Sequence, residues 1–408
     1  MPMKLVKRIN QILLILSVLA VLGLGLFSLA ESPVDICIEE NRTAEKVLPF
    51  TMENYASGEY QDSLELALGD QLPYAAEVKR EYNSFFERFS APYIKKLLGT
   101  NPDGITYVKL NDYVNLIDDY MIFNTTNIDH CIDGLDKSIE NKNSLFATHP
   151  EFEYYACYIE KDNDIDFASG RRAGILDYLK TGLNLPEGHF SAFPLKDLEQ
   201  YKADFFKTDH HWNTFGAHKG YMQLISMILP NEKLINPVDI VEIGSWCGSK
   251  ALLAGSNQRE SVSLYEYDFP ESVVGDVVDL VDKDDIDRYE WYIEKARTAT
   301  EGAAQLSADS YGEVFGIDYG EMIWENPDCE NGNILIFGDS FDNAILRLLA
   351  CHFSKIYGVD LRYYESQKNE KFNFETYVQD KDIKYILFVG SESFWYAEEL
   401  LVPMESQK

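Results

Sequence analysis

The sequence predicts a three-layer α/β domain built on a parallel sheet, and three observations predict it. The C-terminal third holds three apolar runs of strand length: Ile334-Leu335-Ile336-Phe337, Ile356-Tyr357-Gly358-Val359 and Tyr385-Ile386-Leu387-Phe388-Val389. Helical patterns separate them, as over residues 342–353. Continuous apolar strands with intervening helices mark a sheet buried on both faces. Further upstream, Tyr154-Tyr155-Ala156-Cys157-Tyr158-Ile159 reads as one more buried strand.

The elements follow in order. Lys4, Lys7 and Arg8 precede an uncharged apolar run, residues 12–30. On a helix that run spans about 28 Å, near the hydrocarbon thickness of a bilayer. The basic flank should stay in the cytoplasm and the bulk of the chain outside. Ser28-Leu29-Ala30 also looks like a cleavage site. The run is longer than a usual signal core, so a retained anchor over residues 1–31 is favoured over a cleaved signal. The expected location is the cell membrane with the main domain extracytoplasmic, or secreted if the signal is cut. Residues 32–102 read as a linker and an irregular helical stalk, broken near Gly69-Asp70-Gln71. Residues 103–408 form the α/β domain, with an insertion at about 231–331. A helix is expected over 171–180, ending near Gly182. Asn213 or Thr214 should cap the next, whose apolar face runs through Ala217, Tyr221, Leu224, Ile225 and Ile228 before Pro230. The insertion holds possible strands, an acidic run and a helix around 291–296. It is a candidate cover for the active site.

Composition removes some functions. The net charge is -32, and the first thirty residues contribute only cations. Nucleic-acid binding needs Lys and Arg to displace phosphate counterions, so it is excluded. Asp282, Asp284, Asp285 and Asp287 read as a solvated acidic face, since no calcium-loop spacing surrounds them. The six cysteines contain no C-x-x-C pair, which argues against a zinc knuckle. Disulfides and buried free thiols both stay open.

Two motifs carry chemistry: Thr208-Asp209-His210-His211-Trp212-Asn213 and Gly338-Asp339-Ser340-Phe341. Ser340 follows a strand and precedes a helix, so its Oγ can stand at the sheet edge. Backbone N–H groups at the helix start favour negative charge there and could form an oxyanion hole. The alternative is a plain helix cap by Asp339 and Ser340. A hydroxyl needs a base to become a nucleophile, and the chain has 7 histidines. In extended structure residues two apart share a face. Asp209 would then orient His211 toward Ser340, and His210 would point away. Metal binding by Asp209-His210-His211 is set aside, because no partner carboxylates stand in other motifs. Val241-Glu242-Ile243-Gly244-Ser245-Trp246-Cys247-Gly248 looks like a methyltransferase motif, but no complete βαβ pattern follows it. No metal and no cofactor is expected.

Taken together the two motifs resemble the DHHW family, a bacterial branch of SGNH-hydrolase-like proteins related to alginate O-acetyltransferase proteins. Glu40-Asn41-Arg42, Gly69-Asp70-Gln71-Leu72-Pro73 and Val359-Asp360-Leu361-Arg362-Tyr363-Tyr364 extend the resemblance. It implies an SGNH-like α/β/α fold with Ser340 as nucleophile, His211 as base and Asp209 as its orienter. The implied activity is O-acetyl transfer to, or removal from, an exported or cell-surface polysaccharide. A membrane-bound O-acyltransferase is the implied partner. Gly338, Phe341 and Arg362 are candidate substrate or oxyanion contacts, with an ion pair to Asp360 as the other reading of Arg362. A non-catalytic polysaccharide-binding or assembly factor keeping the fold is the rival reading.

Overall fold

The computed structural model describes residues 36–37, 42–44, 46–71, 81–82, 85, 107–277, 288–298, 311–316 and 318–404. The expected anchor at 1–31, most of the expected stalk beyond residue 71, Glu40-Asn41, Leu72-Pro73 and the acidic residues 282–287 lie outside the described residues. Among the described residues no helix is long and apolar enough to cross a membrane.

Contacts divide the chain into two units, Met1–Leu97 with Ala251–Asn257, and Leu98–Lys250 with Gln258–Lys408. In the first, helices Met52–Ser57 and Glu59–Asp70 meet at Gly58, whose φ of 92° suits a residue without Cβ. The Thr51 hydroxyl caps the first helix by accepting from Asn54 N–H at 3.0 Å. The helical stretch therefore breaks at Gly58 as well as after Asp70.

The second unit is built on a seven-stranded sheet. Its strands in chain order are β1 Glu153–Ile159, β2 Phe190–Phe193, β3 Val274–Val277, β4 Glu321–Glu325, β5 Asn333–Gly338, β6 Lys355–Val359 and β7 Ile383–Gly390. Their spatial order is β3-β4-β6-β5-β7-β1-β2. The five strands from β6 to β2 are mutually parallel. The expectation of a wholly parallel sheet fails at one edge, where β4 and β3 run antiparallel. Both come from the stretch 231–331 expected to be an insertion, which thus extends the sheet.

Side chains alternate between two cores as period-2 geometry demands. Ile334, Ile336, Leu387 and Val389 join one core with the helix Thr214–Ile228. Leu335, Phe337, Ile386 and Phe388 join another with the helix Ile132–Thr148. Helices therefore cover both faces, which explains why the central strands are apolar at every position. A third core, with Trp246, Tyr292 and Tyr311, belongs mostly to the insertion.

Two expected helices are shorter than their patterns. Over 171–180 the helix starts only at Ile175, because Arg172 is bridged to Ile165 and Gly174 has φ 89°. Over 342–353 a 3-10 turn, Asp342–Ala344, precedes the helix Leu346–Ala350. Asp342 and Ile345 N–H close tight turns onto Asp339 and Asp342 carbonyls. The methyltransferase-like segment is a strand, Asp239–Trp246, in an antiparallel hairpin with Glu260–Glu266, with no βαβ unit. Among the described residues Cys131, Cys157, Cys329 and Cys351 are free thiols.

Lys142 is fully buried on its helix, with Nζ donating to Ser138 Oγ at 2.8 Å and three aromatic rings at 5.2–5.4 Å. Burial pushes its amine down to about 7. The unfolded chain therefore binds more protons than the fold from about pH 7 up to the ordinary lysine value of 10.5. Through this group stability rises with pH over that window. Lys142→Met should raise the melting temperature at pH 7 and flatten that slope, read by thermal denaturation at several pH values. The neutral-pH gain should be on the order of a few kcal/mol.

Candidate active site

Ser340 stands just past the carboxyl end of β5, the middle strand. The chain leaves β5 for β6 on one side and returns to β7 on the other, so this is a topological switch point, where α/β sheets hold ligands. Asp339 fixes the turn. Its Oδ1 accepts from Phe341 N–H at 3.1 Å, and its Oδ2 accepts from Ser391 N–H and Oγ–H at 2.9 and 3.0 Å. Gly338 has no side chain for a steric reason: a Cβ there would lie 2.0 Å from Asp342 Oδ2. Burial, aided by Asp339, Asp360 and Asp318, pushes the Asp342 carboxyl well above the usual range.

The histidine arrives on a loop closed at its base. Phe205 and Trp212 form an antiparallel bridge, and Phe206 N–H bonds to His211 C=O at 3.1 Å. Asn213 caps the following helix through Phe215 and Gly216 N–H, and its amide returns to the Ala203 and Phe205 carbonyls. Trp212 is buried against Phe341 and against a helix face kept small by Gly220, where a Cβ would lie 2.5 Å from the indole. The tryptophan thus anchors the loop.

Within the loop Lys207–His211 is a run of bends and not the extended strand that was expected. The pairing survives by another route. Asp209 Oδ1 accepts both the backbone N–H of His211 at 3.0 Å and its Nδ1–H at 2.7 Å, an Asx-type turn. His211 Nε2 lies 2.7 Å from Ser340 Oγ. Serine, imidazole and carboxylate thus meet in one hydrogen-bonded line.

His210 does not point away. Its ring centre is 3.8 Å from that of His211, and its Nδ1 lies 2.6 Å from Ser249 Oγ. Burial, reinforced by the charges of His211, Lys161 and Lys250, holds it well below the ordinary imidazole value, so it is neutral near pH 7. Asp209 is the opposite case. Burial alone would raise its carboxyl, but the attraction and hydrogen bond of His211, with His210 and Ser249 N–H, hold it well below the usual range. A further ionic layer lies nearby: Lys161 pairs with Glu392 at 3.2 Å and Lys250 with Asp162 at 2.9 Å, both over the Phe123 ring.

The insertion supplies parts that the motifs did not reveal. Ser249 N–H donates to Asp209 Oδ2 at 2.7 Å. Gly248 N–H donates to Thr208 Oγ1 at 3.0 Å, and a Cβ at Gly248 would lie 2.6 Å from Asp209 Cβ. Glu260 accepts from Lys207 N–H, Thr208 N–H and Thr208 Oγ–H at 2.6–2.7 Å and from Trp246 Nε1 at 3.2 Å. Tyr311 stacks on His211 with ring centres 3.7 Å apart and planes at 8°. Their positions, scattered over a stretch without family-like spacing, left no signal to read.

The remaining expected contacts are engaged elsewhere. Phe341 N–H is spent on Asp339. Arg362 forks onto Asp360, with Nε to Oδ1 at 3.0 Å and Nη2 to Oδ2 at 2.5 Å, and reaches Asp318 at 3.3 Å. The ion-pair reading is the one its geometry follows. Ser340 N–H has no hydrogen-bond partner among the described residues. Asp209, His210 and His211 offer ligand atoms within 4.8 Å of one another. The carboxylate is already filled by protein donors and His211 Nε2 faces a serine, an arrangement that does not suit a metal.

The family model described as DHHW protein matches residues 159–359, a span that holds both motifs. The DHHW resemblance carried by those motifs thus stands. Among solved structures, Bacillus cereus PatB1 with a sulfonyl adduct is similar with a TM-score of 0.52 at 21% identity, over 73% of this chain and 99% of that one. A second PatB1 structure gives 0.51 at 22% identity, over 71% and 99%. A DHHW family protein from Eubacterium siraeum gives 0.49 at 15% identity, over 73% and 97%. The PatB1 likeness shows the fold, a mixed α/β architecture around a central sheet. No curated protein matches the chain.

Glu260 clamps the start of the histidine loop through four donors, two of them backbone N–H groups. Glu260→Ala should lower stability by about 3 kcal/mol, and Glu260→Gln by less, in urea denaturation followed by tryptophan fluorescence.

Proposed function

We propose that the chain is a serine-dependent O-acyl transferase or esterase, with Ser340 as nucleophile, His211 as general base then acid, and Asp209 as the group that orients it. One observation carries this reading: the continuous line from Ser340 Oγ through His211 to Asp209, with 2.7 Å at each link. The SGNH-like α/β/α description of the fold belongs to the same reading. It is supported by helices on both sheet faces and by the likeness to PatB1.

The chemistry follows from the geometry. Asp209 accepts a hydrogen bond from His211 Nδ1–H, which leaves Nε2 unprotonated and able to take the Ser340 proton. Ser340 Oγ attacks the ester carbonyl, and negative charge develops on its oxygen. Ser340 N–H, which has no hydrogen-bond partner among the described residues, is the donor we propose for that charge. Collapse breaks the ester C–O bond, and His211 returns its proton to the departing alcohol. An incoming hydroxyl then loses its proton to His211 and attacks the acyl-serine; the acyl C–Oγ bond breaks and His211 returns that proton to Ser340 Oγ. Water as the incoming group gives hydrolysis; a sugar hydroxyl gives transfer.

The acyl group we propose is acetyl, and the acceptor or donor an exported or cell-surface polysaccharide. The DHHW resemblance supports both. The same resemblance supports a membrane-bound O-acyltransferase as partner. The basic flank and apolar run at 12–30 support an extracytoplasmic domain held to the membrane.

The test is hydrolysis of p-nitrophenyl acetate. Ser340→Ala and His211→Ala should each lose about a thousandfold or more of the wild-type rate. An aryl sulfonyl fluoride should label Ser340, read by peptide mass, and should leave His211→Ala unlabelled. Equal rates for wild type and Ser340→Ala would defeat the enzymatic reading and leave a binding or assembly role. Incubation with cell-surface polysaccharide fractions, with acetate followed by mass, separates transfer from removal.

A further inference from the structure

We propose that Tyr311 is a positioning residue for His211, and that the insertion takes part in catalysis through it. The inference rests on the serine-acyl reading above. Tyr311 opens the short helix Tyr311–Phe315 and is 4% exposed. Its ring lies parallel on His211, 3.7 Å away at 8°. His210 packs on the same imidazole at 3.8 Å, with its own Nδ1 held near Ser249 Oγ. The imidazole is therefore fixed in its plane by Asp209 and Ser340 and restrained on its faces by two rings.

The face of Tyr311, and not its hydroxyl, is what acts. Among the described residues the buried hydroxyl makes no well-formed hydrogen bond, and burial keeps the phenol neutral by raising it well above its ordinary value. An aromatic face is electron-rich. When His211 takes the serine proton it becomes a cation, and a ring face stabilises a cation more than it does a neutral imidazole. That gain exists only after proton transfer, so it belongs to the transition state. Tyr311 is in turn held by the insertion's own core, against Phe206, Trp246 and Phe315.

The experiment compares wild type with Tyr311→Phe, Tyr311→Leu and Tyr311→Met on p-nitrophenyl acetate. Tyr311→Phe should stay within about twofold of wild type. The Leu and Met variants should lose about tenfold in kcat with KM nearly unchanged, the size of a buried cation–π contact. In parallel, the ring-proton resonances of His211 should lose their upfield ring-current shift in Leu and Met and keep it in Phe. Full kcat in the Leu or Met variant, or a loss in Phe as large as in Leu, would overturn the proposal. So would an unshifted His211 in wild type. An inactive wild type that also resists the sulfonyl fluoride would instead defeat the serine-acyl reading, and the proposed role with it. The resonance shift would then still report whether the stack exists.

Discussion

A carboxylate taken out of water stays ionised only if its lone pairs are filled and a positive or polarised partner faces it. Asp209 is 1% exposed and meets that condition with three donors: His211 N–H, His211 Nδ1–H and Ser249 N–H. The rest of the site depends on this one group. It folds the loop back on itself, chooses the His211 tautomer and ties the loop to the insertion. Each donor comes from a different structural decision. The backbone N–H requires the bend, the imidazole requires the ring to turn inward, and Ser249 requires the hairpin to bring its outgoing end beside residue 209.

The sheet and the loop solve separate problems. The sheet places Ser340 at the end of its middle strand, where turns from neighbouring strands converge. It does not place the histidine there. The loop does so from a helix start, with Trp212 wedged beside Gly220 and Asn213 closing the cap. Buried Trp and backbone bridge together remove the loop's freedom before any substrate arrives. Preorganisation of this kind lowers the entropy that the chemical step must supply.

The parts of the fold and site that were legible in the sequence are those with local causes. Central strands showed as apolar runs because both faces are buried, and the Asn213 cap showed because its side chain acts within three residues. Asp209, His211 and Ser340 were legible as motif residues. The route by which Asp209 reaches His211 was not, since alternation and an Asx-type turn both bring residues two apart together. The placement of His210 was missed for the same reason: a bend does not alternate. Glu260, Ser249 and Tyr311 were missed because their partners in the histidine loop lie 39 or more residues away and no periodicity marks them. The antiparallel strands β3 and β4 were hidden inside a stretch that read as an insertion.

That stretch changes meaning once its contacts are known. An insertion that only covered a site would touch substrate and leave the triad's geometry alone. This one fills the third donor position of Asp209, clamps Lys207 and Thr208 through Glu260, stacks on His211 and adds two strands to the sheet edge. A deletion would leave Asp209 with an unfilled lone pair and His211 with an open face, a cost in the class of breaking a buried polar network. The Asp209–His211 pair and the stretch 231–331 therefore form one cooperative unit. Two motif lines name the hydrogen-bonded serine, imidazole and carboxylate, and the hundred or so residues between them hold those groups in place.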